Sequence, residues 1–274
     1  MSQQIPPSPT VRPLSFQHWW LTLSFIVMNV GLFLSQVLTG VDAQHPATLD
    51  ALAWGADFAP LTYSTEAWRL FSSMFFHFGL IHLMLNMWAL YLFGHLAEQH
   101  FGRFYFAGLY LLAGLMGSLV SGAVDLYHSL QLMQQLPQVN VELLPRVSAG
   151  ASGAVMGIGA ALTIMSLLPP LAHQRFMFDK RSLVLIMAIN LIFGFVVPGI
   201  NNAAHMGGMG MGAFLALTWY VIQRFTHIKQ HRLWQAMILL LVLMGCVWLF
   251  DMMKTVALPL QPLWQLLIEG LSLD

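Results

Sequence analysis

Charge is scarce in this chain of 274 residues: Asp, Glu, Lys and Arg make up 8%, against about 25% in an ordinary soluble domain. Cysteine is nearly absent, Cys246 being the single one. One thiol excludes an internal disulfide framework and a cysteine metal cluster. Formal net charge is zero, so no bulk attraction to nucleic acid is implied and no such partner is expected. Internal repeats and low-complexity tracts are missing too. The first 17 residues are polar and proline-rich. They lack the charged, apolar and small-residue regions of a cleavable signal, and no soluble domain is expected ahead of the apolar part. What the chain has in quantity is hydrocarbon: 58% of residues are hydrophobic and mean hydropathy is +0.70. It reads as a multi-pass membrane protein, all-α, with the lipid bilayer as its first partner.

A helical span needs about 20 mostly apolar residues. Seven stretches qualify: 19–39, 77–97, 104–124, 149–168, 182–200, 203–222 and 235–253. Pro169-Pro170 and Pro198-Gly199 punctuate the joins. With the N-terminus inside, Arg12, Arg103, Arg175, Lys180, Arg181, Arg224, Lys229 and Arg232 are cytoplasmic, and Arg69, Arg146 and Lys254 are outside. That split of eight against three favours an N-in, C-out bundle. The outer loops then hold Asp42, Asp50, Asp57, Glu66, Asp125 and Glu142.

Two helix starts carry the chemistry. Gly150-Ala151-Ser152-Gly153 opens the fourth span and Ala204-His205 opens the sixth. Both spans run inward from the outer face, so Ser152 and His205 lie at similar depth, about one turn below the surface. A serine in a membrane helix is commonly structural, bonding the carbonyl one turn back or easing helix packing. Here Gly150, Gly153 and Gly157 follow an i, i+3, i+7 spacing, and Gly208 and Gly212 stand at i+3 and i+7 from His205. Two smooth stripes predict close docking of the two helices, bringing a hydroxyl to a base that can take its proton. The second span adds His82 and Asn86 at i, i+4, on one face and at the same level. Both side chains can donate to a developing oxyanion. The plainer reading of that pair is an interhelical hydrogen bond. A serine hydrolase working inside the membrane is the leading reading.

Other polar features read as structural. Most of the 11 histidines sit at span ends or loops. His77 opens the second span and, five residues from His82, falls on another helix face. The 18 methionines read as flexible packing. No metal and no cofactor is expected: the His pattern is not His-Glu-x-x-His, and Glu98 and Asp251 sit at span ends, within reach of water. Trp19, Trp20, Trp54, Trp68 and Trp264 suit the membrane interface. The segment 40–76 is expected to dip into the outer interface, and residues 259–271 to lie on the outer leaflet as a short amphipathic piece.

Taken in order, these motifs resemble the rhomboid family of intramembrane serine proteases. Trp68-Arg69 resembles its Trp-Arg pair, residues 77–86 its His-rich second span, Gly150 to Gly153 its Gly-x-Ser-Gly motif, and Ala204-His205 with Gly208 and Gly212 its Ala-His-x-x-Gly-x-x-x-Gly motif. The resemblance covers roughly residues 18–222. It implies a cytoplasmic tail over 1–18, a six-helix catalytic core over 19–222, and a loop, seventh helix and external tail over 223–274. It also implies Ser152 as nucleophile, His205 as general base, and an oxyanion hole of His82, Asn86 and the Ser152 backbone N–H. Trp68, Arg69, His77, Gly150, Gly153, Gly157, Gly208 and Gly212 would be structural. Many bacterial members carry tyrosine where this chain has Met156. No aspartate is available as a third triad member, which fits the family's dyad. The implied function is cleavage of transmembrane protein substrates near the periplasmic face of a bacterial inner membrane, with lateral entry past span five. The alternative is an inactive rhomboid-like binding or quality-control protein. A metal carrier is disfavoured because no acidic residue is expected at mid-membrane.

Overall fold

The computed structural model describes residues 19–171, 179–196, 200–225 and 231–271. The tail over 1–18, Arg12, Arg175, Lys229 and the Pro198-Gly199 join lie outside the described residues. Helices α1 (Trp20–Leu38), α5 (Leu80–Phe101), α6 (Arg103–Gln135), α7 (Ser152–Leu167), α8 (Lys180–Val196), α9 (Asn202–Phe225) and α10 (His231–Ala257) form a bundle. Between α1 and α5 lie the short helices α2 (Thr48–Ala53), α3 (Ala59–Thr62) and α4 (Arg69–Ser72), and α11 (Gln261–Leu271) follows α10. Each of the seven apolar stretches overlaps one long helix. Among the described residues four regions, α1, α5, α6 and the stretch from His231 to Gly270, are long and apolar enough to cross a membrane. The 16-residue α7 is apolar but shorter.

Packing explains the arrangement. Helix α7 is rich in glycine and alanine, so neighbours approach its backbone. It sits centrally against α5, α6, α8 and α9, and Gly153 through Leu162 are buried without a break. Helix α6 runs to Gln135, well past the expected end at residue 124. Its last turns carry glutamines, which lower the hydropathy, yet Leu126, Ser129 and Leu132 stay buried and keep the helix on the protein.

The segment after α1 is a folded layer with its own core of Ala51, Ala56 and Phe76. Arg69 ties it: its guanidinium donates to the carbonyls of Leu52 (2.7 Å) and Ala56 (2.9 Å) and pairs with Glu66 at 2.7 Å. Trp68 packs over that guanidinium at 4.8 Å and is half exposed. Helix α11 is a strap. Trp264 is fully buried, donating from Nε1 to Ser129 Oγ of α6 at 3.1 Å, and Ser64 donates to Gln261 at 2.7 Å. Trp264 therefore anchors inside the protein and not at a lipid interface.

Two carboxylates also depart from expectation. Glu98 is 1% exposed. It accepts from the N–H groups of Leu21 (3.2 Å) and Thr22 (2.7 Å) and from the Thr22 hydroxyl (2.8 Å), so it caps the start of α1. The reason is general: the first N–H groups of a helix need acceptors, and here no side chain of α1 supplies one. Asp125 lies within α6 and is buried, not in an outer loop.

Candidate active site

Ser152 is the first residue of α7, half-buried, with Ala151 as the residue before the helix. The ladder of α7 begins with the Val155 N–H bonded to the Ala151 carbonyl at 3.0 Å. The N–H groups of Ser152, Gly153 and Ala154 precede it and point out of the helix end, where the partial positive charge gathers. The segment leading in is held rigidly. Ser148 and Asp57 exchange both backbone hydrogen bonds at 2.8 Å, the Gly150 N–H donates to Ser73 at 2.8 Å, and the Ala151 N–H donates to His77 Nε2 at 3.4 Å.

Gly150 leaves the expected stripe. It lies outside α7 with φ +127, a left-handed conformation that side chains rarely adopt. A Cβ there would stand 2.8 Å from the His82 ring. Its glycine therefore makes room for His82 and not for α9. His82 accepts the Phe78 N–H on Nδ1 at 3.2 Å. This fixes the imidazole proton on Nε2, the nitrogen that lies about 3 Å from that same glycine's Cβ position. Asn86 is buried one turn below and donates one N–H to the His82 carbonyl at 3.0 Å.

His77 precedes α5, so the helical-face argument that separated it from His82 does not apply. It is 1% exposed and stacks edge-on with His82, ring centroids 5.2 Å apart. It packs against His82 while accepting from Ala151.

The remaining glycines make the seam. A Cβ on Gly208 would be 2.0 Å from the Gly153 carbonyl oxygen, and one on Gly212 would be 1.9 Å from that of Gly157. A Cβ on Gly153 would be 3.4 Å from the Ala204 oxygen. Helices α7 and α9 thus touch backbone to backbone, with Ser152 one residue before Gly153 and His205 one residue after Ala204. His205 is buried, in the first turn of α9, and its Nδ1 has no hydrogen-bond partner. No hydrogen bond joins Ser152 to His205. Below them, Met156, Ala160 and Met187 form a small apolar cluster with Met209 against it. Met156 and Met209 stand at i+4 from Ser152 and His205, on the same helix faces.

Asn201 was not legible as part of this site. Its side-chain oxygen accepts the Ala204 N–H at 3.0 Å, which caps α9. Its amide donates to Ser121 Oγ at 2.6 Å and Ser148 Oγ at 2.9 Å. The only sequence signal was an asparagine ahead of a helical run, a common capping pattern.

The Rhomboid domain family model matches residues 64–224. The chain is similar to Rhomboid protease AarA of Providencia stuartii, 26% identical over 74% of this chain and 73% of that protein. It is similar to Rhomboid protease GluP of Bacillus subtilis, 32% identical over 71% of this chain and 34% of that one. It is also similar to RHOMBOID-like protein 5 of Arabidopsis thaliana, 33% identical over 60% of this chain and 48% of that one. The chain thus spans half or less of two of these three relatives.

Proposed function

This chain belongs to the rhomboid family of integral membrane proteins, and on that premise we propose that it is a serine endopeptidase that cuts transmembrane segments with a Ser152–His205 dyad. The observation that carries the reading is the glycine seam, which joins the serine-bearing and histidine-bearing helix starts backbone to backbone. The Ser152 hydroxyl attacks the scissile carbonyl while His205 takes its proton and passes it to the leaving amine. The acyl-serine is then hydrolysed by a water that His205 activates. A missing hydrogen bond between the pair is compatible with this role, because catalytic contacts commonly tighten only when substrate is bound.

Negative charge on the carbonyl oxygen would meet the Ser152 N–H, His82 Nε2–H and the second N–H of the Asn86 amide, the first being committed to its own helix. The dipole of α7 adds to all three. Seven spans, an N-in, C-out orientation and cleavage near the outer face belong to the same proposal, supported by the lysine and arginine bias. A bacterial inner membrane is proposed because AarA and GluP are bacterial proteins. The substrate enters laterally past α8, in which Leu183 and Met187 alone are buried among the described side chains.

The test is cleavage of a model membrane substrate together with labelling by a fluorophosphonate. Wild-type protein is expected to cleave and to be labelled at Ser152. Ser152→Ala and His205→Ala are each expected to abolish cleavage while the protein still folds. Cleavage at the normal rate by either variant would sink the dyad. Wild-type protein that neither cleaves nor takes the label would point to a binding protein instead.

A further inference from the structure

We infer that Asn201 is a positioning residue that holds the starts of α7 and α9 at catalytic spacing, an inference that rests on the dyad proposed above. Four contacts converge on this residue, three of them through its side-chain amide. Its oxygen caps α9 through the Ala204 N–H (3.0 Å), and its backbone carbonyl accepts the His205 N–H at 3.2 Å. The histidine therefore rides on the turn that Asn201 fixes. Its nitrogen donates at 2.9 Å to Ser148, four residues ahead of Ser152 on a segment locked to Asp57 by a pair of backbone bonds. The same nitrogen donates at 2.6 Å to Ser121 of α6, which is 4% exposed.

An amide has two N–H groups and one oxygen, and all of these are engaged here. The glycine seam sets how closely α7 and α9 approach sideways. It does not set how far one helix slides along the other, since a smooth contact resists sliding weakly. A directional bond at the outer end does. The dyad has no third residue on His205 Nδ1, so the imidazole depends on its helix turn for placement. A shift of about 1 Å at such a contact costs on the order of 10²-fold in rate.

Capping and bridging separate by substitution. Serine caps a helix about as well as asparagine but is too short to reach Ser148 and Ser121 together. Asn201→Ser is therefore expected to keep the melting temperature within a few degrees while kcat falls on the order of 10²-fold. KM stays near the wild-type value, and fluorophosphonate labelling of Ser152 slows by a similar factor. Ser148→Ala, which leaves α9 untouched, should lower kcat in the same direction. The double variant should be no slower than the worse single, because both break one bridge. The inference is overturned if Asn201→Ser keeps wild-type kcat while Ser152→Ala is inactive, a result that leaves the dyad standing. It is also overturned if the two single effects simply add, or if activity falls only in step with folded protein. Should Ser152→Ala itself retain cleavage, the dyad fails and this inference with it.

Discussion

Helices α9 and α10 are neighbours in sequence and are built on opposite rules. Along α9 the contact with α7 is made of missing side chains: Gly208 and Gly212 lie directly on the carbonyls of Gly153 and Gly157. Along α10 the glycine at position 245 faces open space, and Leu240, Leu241, Met244, Val247 and Trp248 are exposed around it. Its hold on the bundle comes from single large side chains, such as Leu239, which seats over Gly108 of α6. In lipid no hydrophobic force drives helices together, so tight contact requires backbone approach. The comparison teaches where this molecule keeps its rigidity: at the seam that carries Ser152 and His205, not in the helix that faces lipid on most sides.

The hardest blow to that contrast is a side chain in the seam. Gly208→Leu or Gly212→Leu cannot be absorbed, since even a first carbon would sit about 2 Å from a carbonyl oxygen. Both variants are expected to lose all detectable cleavage and to melt at lower temperature. Full activity and stability in Gly208→Leu would show that the helices do not depend on this seam.

Next in size are the donors beside the seam. His82→Ala or Asn86→Ala should each lower kcat by about 10²–10³-fold with a smaller change in KM. Equal loss in kcat and KM, or a loss restored by zinc after chelation, would remove these residues from the oxyanion role.

The folded layer over the seam answers to pH. Burial pushes the Asp57 carboxyl up from 3.8 to about 6, with the Thr62 hydroxyl and nearby Arg69 pulling the other way. The folded state then binds this proton more tightly than the unfolded one. Its contribution is full below the unfolded value of 3.8 and is lost as pH rises through about 6. The most this can amount to is roughly 3 kcal/mol. Thermal melts of wild type and Asp57→Asn between pH 4 and 7 should diverge, the wild type losing stability relative to the variant as pH rises through about 6. An unchanged slope in the variant would assign the pH response to another group.

The smallest effects sharpen the contrast within one helix. Gly210 lies between Gly208 and Gly212 on α9, yet nothing stands near its missing Cβ, and Gly245 on α10 is equally open. Alanine at either position should leave kcat unchanged and raise stability by about 0.5–1 kcal/mol through a less flexible unfolded chain. A loss of activity in Gly210→Ala would mean that the outward face of α9 has a partner.

Much of this was legible in sequence because hydrocarbon and glycine leave strong local signatures. The long helices follow the apolar stretches, and the spacing of Gly208 and Gly212 points to the contact that the fold makes. What stayed hidden depends on partners far along the chain. Glu98 reads as a residue at a helix end within reach of water; its burial follows from α1, whose first N–H groups lie 76 and 77 residues away. Gly150 keeps stripe spacing with Gly153, but a helical count fails once the residue stands outside the helix with positive φ. His77 misleads for the same reason, preceding α5 by a turn. Asn201 looks like a loop residue because nothing local names Ser121 or Ser148 as its acceptors.

The short length of α7 has an electrical consequence. Sixteen residues span about 24 Å, while the hydrocarbon core is about 30 Å thick. In the proposed orientation, with the inner end of α7 at the inner boundary, Ser152 stands roughly 6 Å inside the outer one. A proton exchanged between the site and the outer water crosses about one fifth of the barrier. At about 2.3 kcal/mol per charge for each 100 mV across the full membrane, this step feels about 0.5 kcal/mol. The proposed hydrolysis at Ser152 would thereby be nearly uncoupled from the voltage across the membrane.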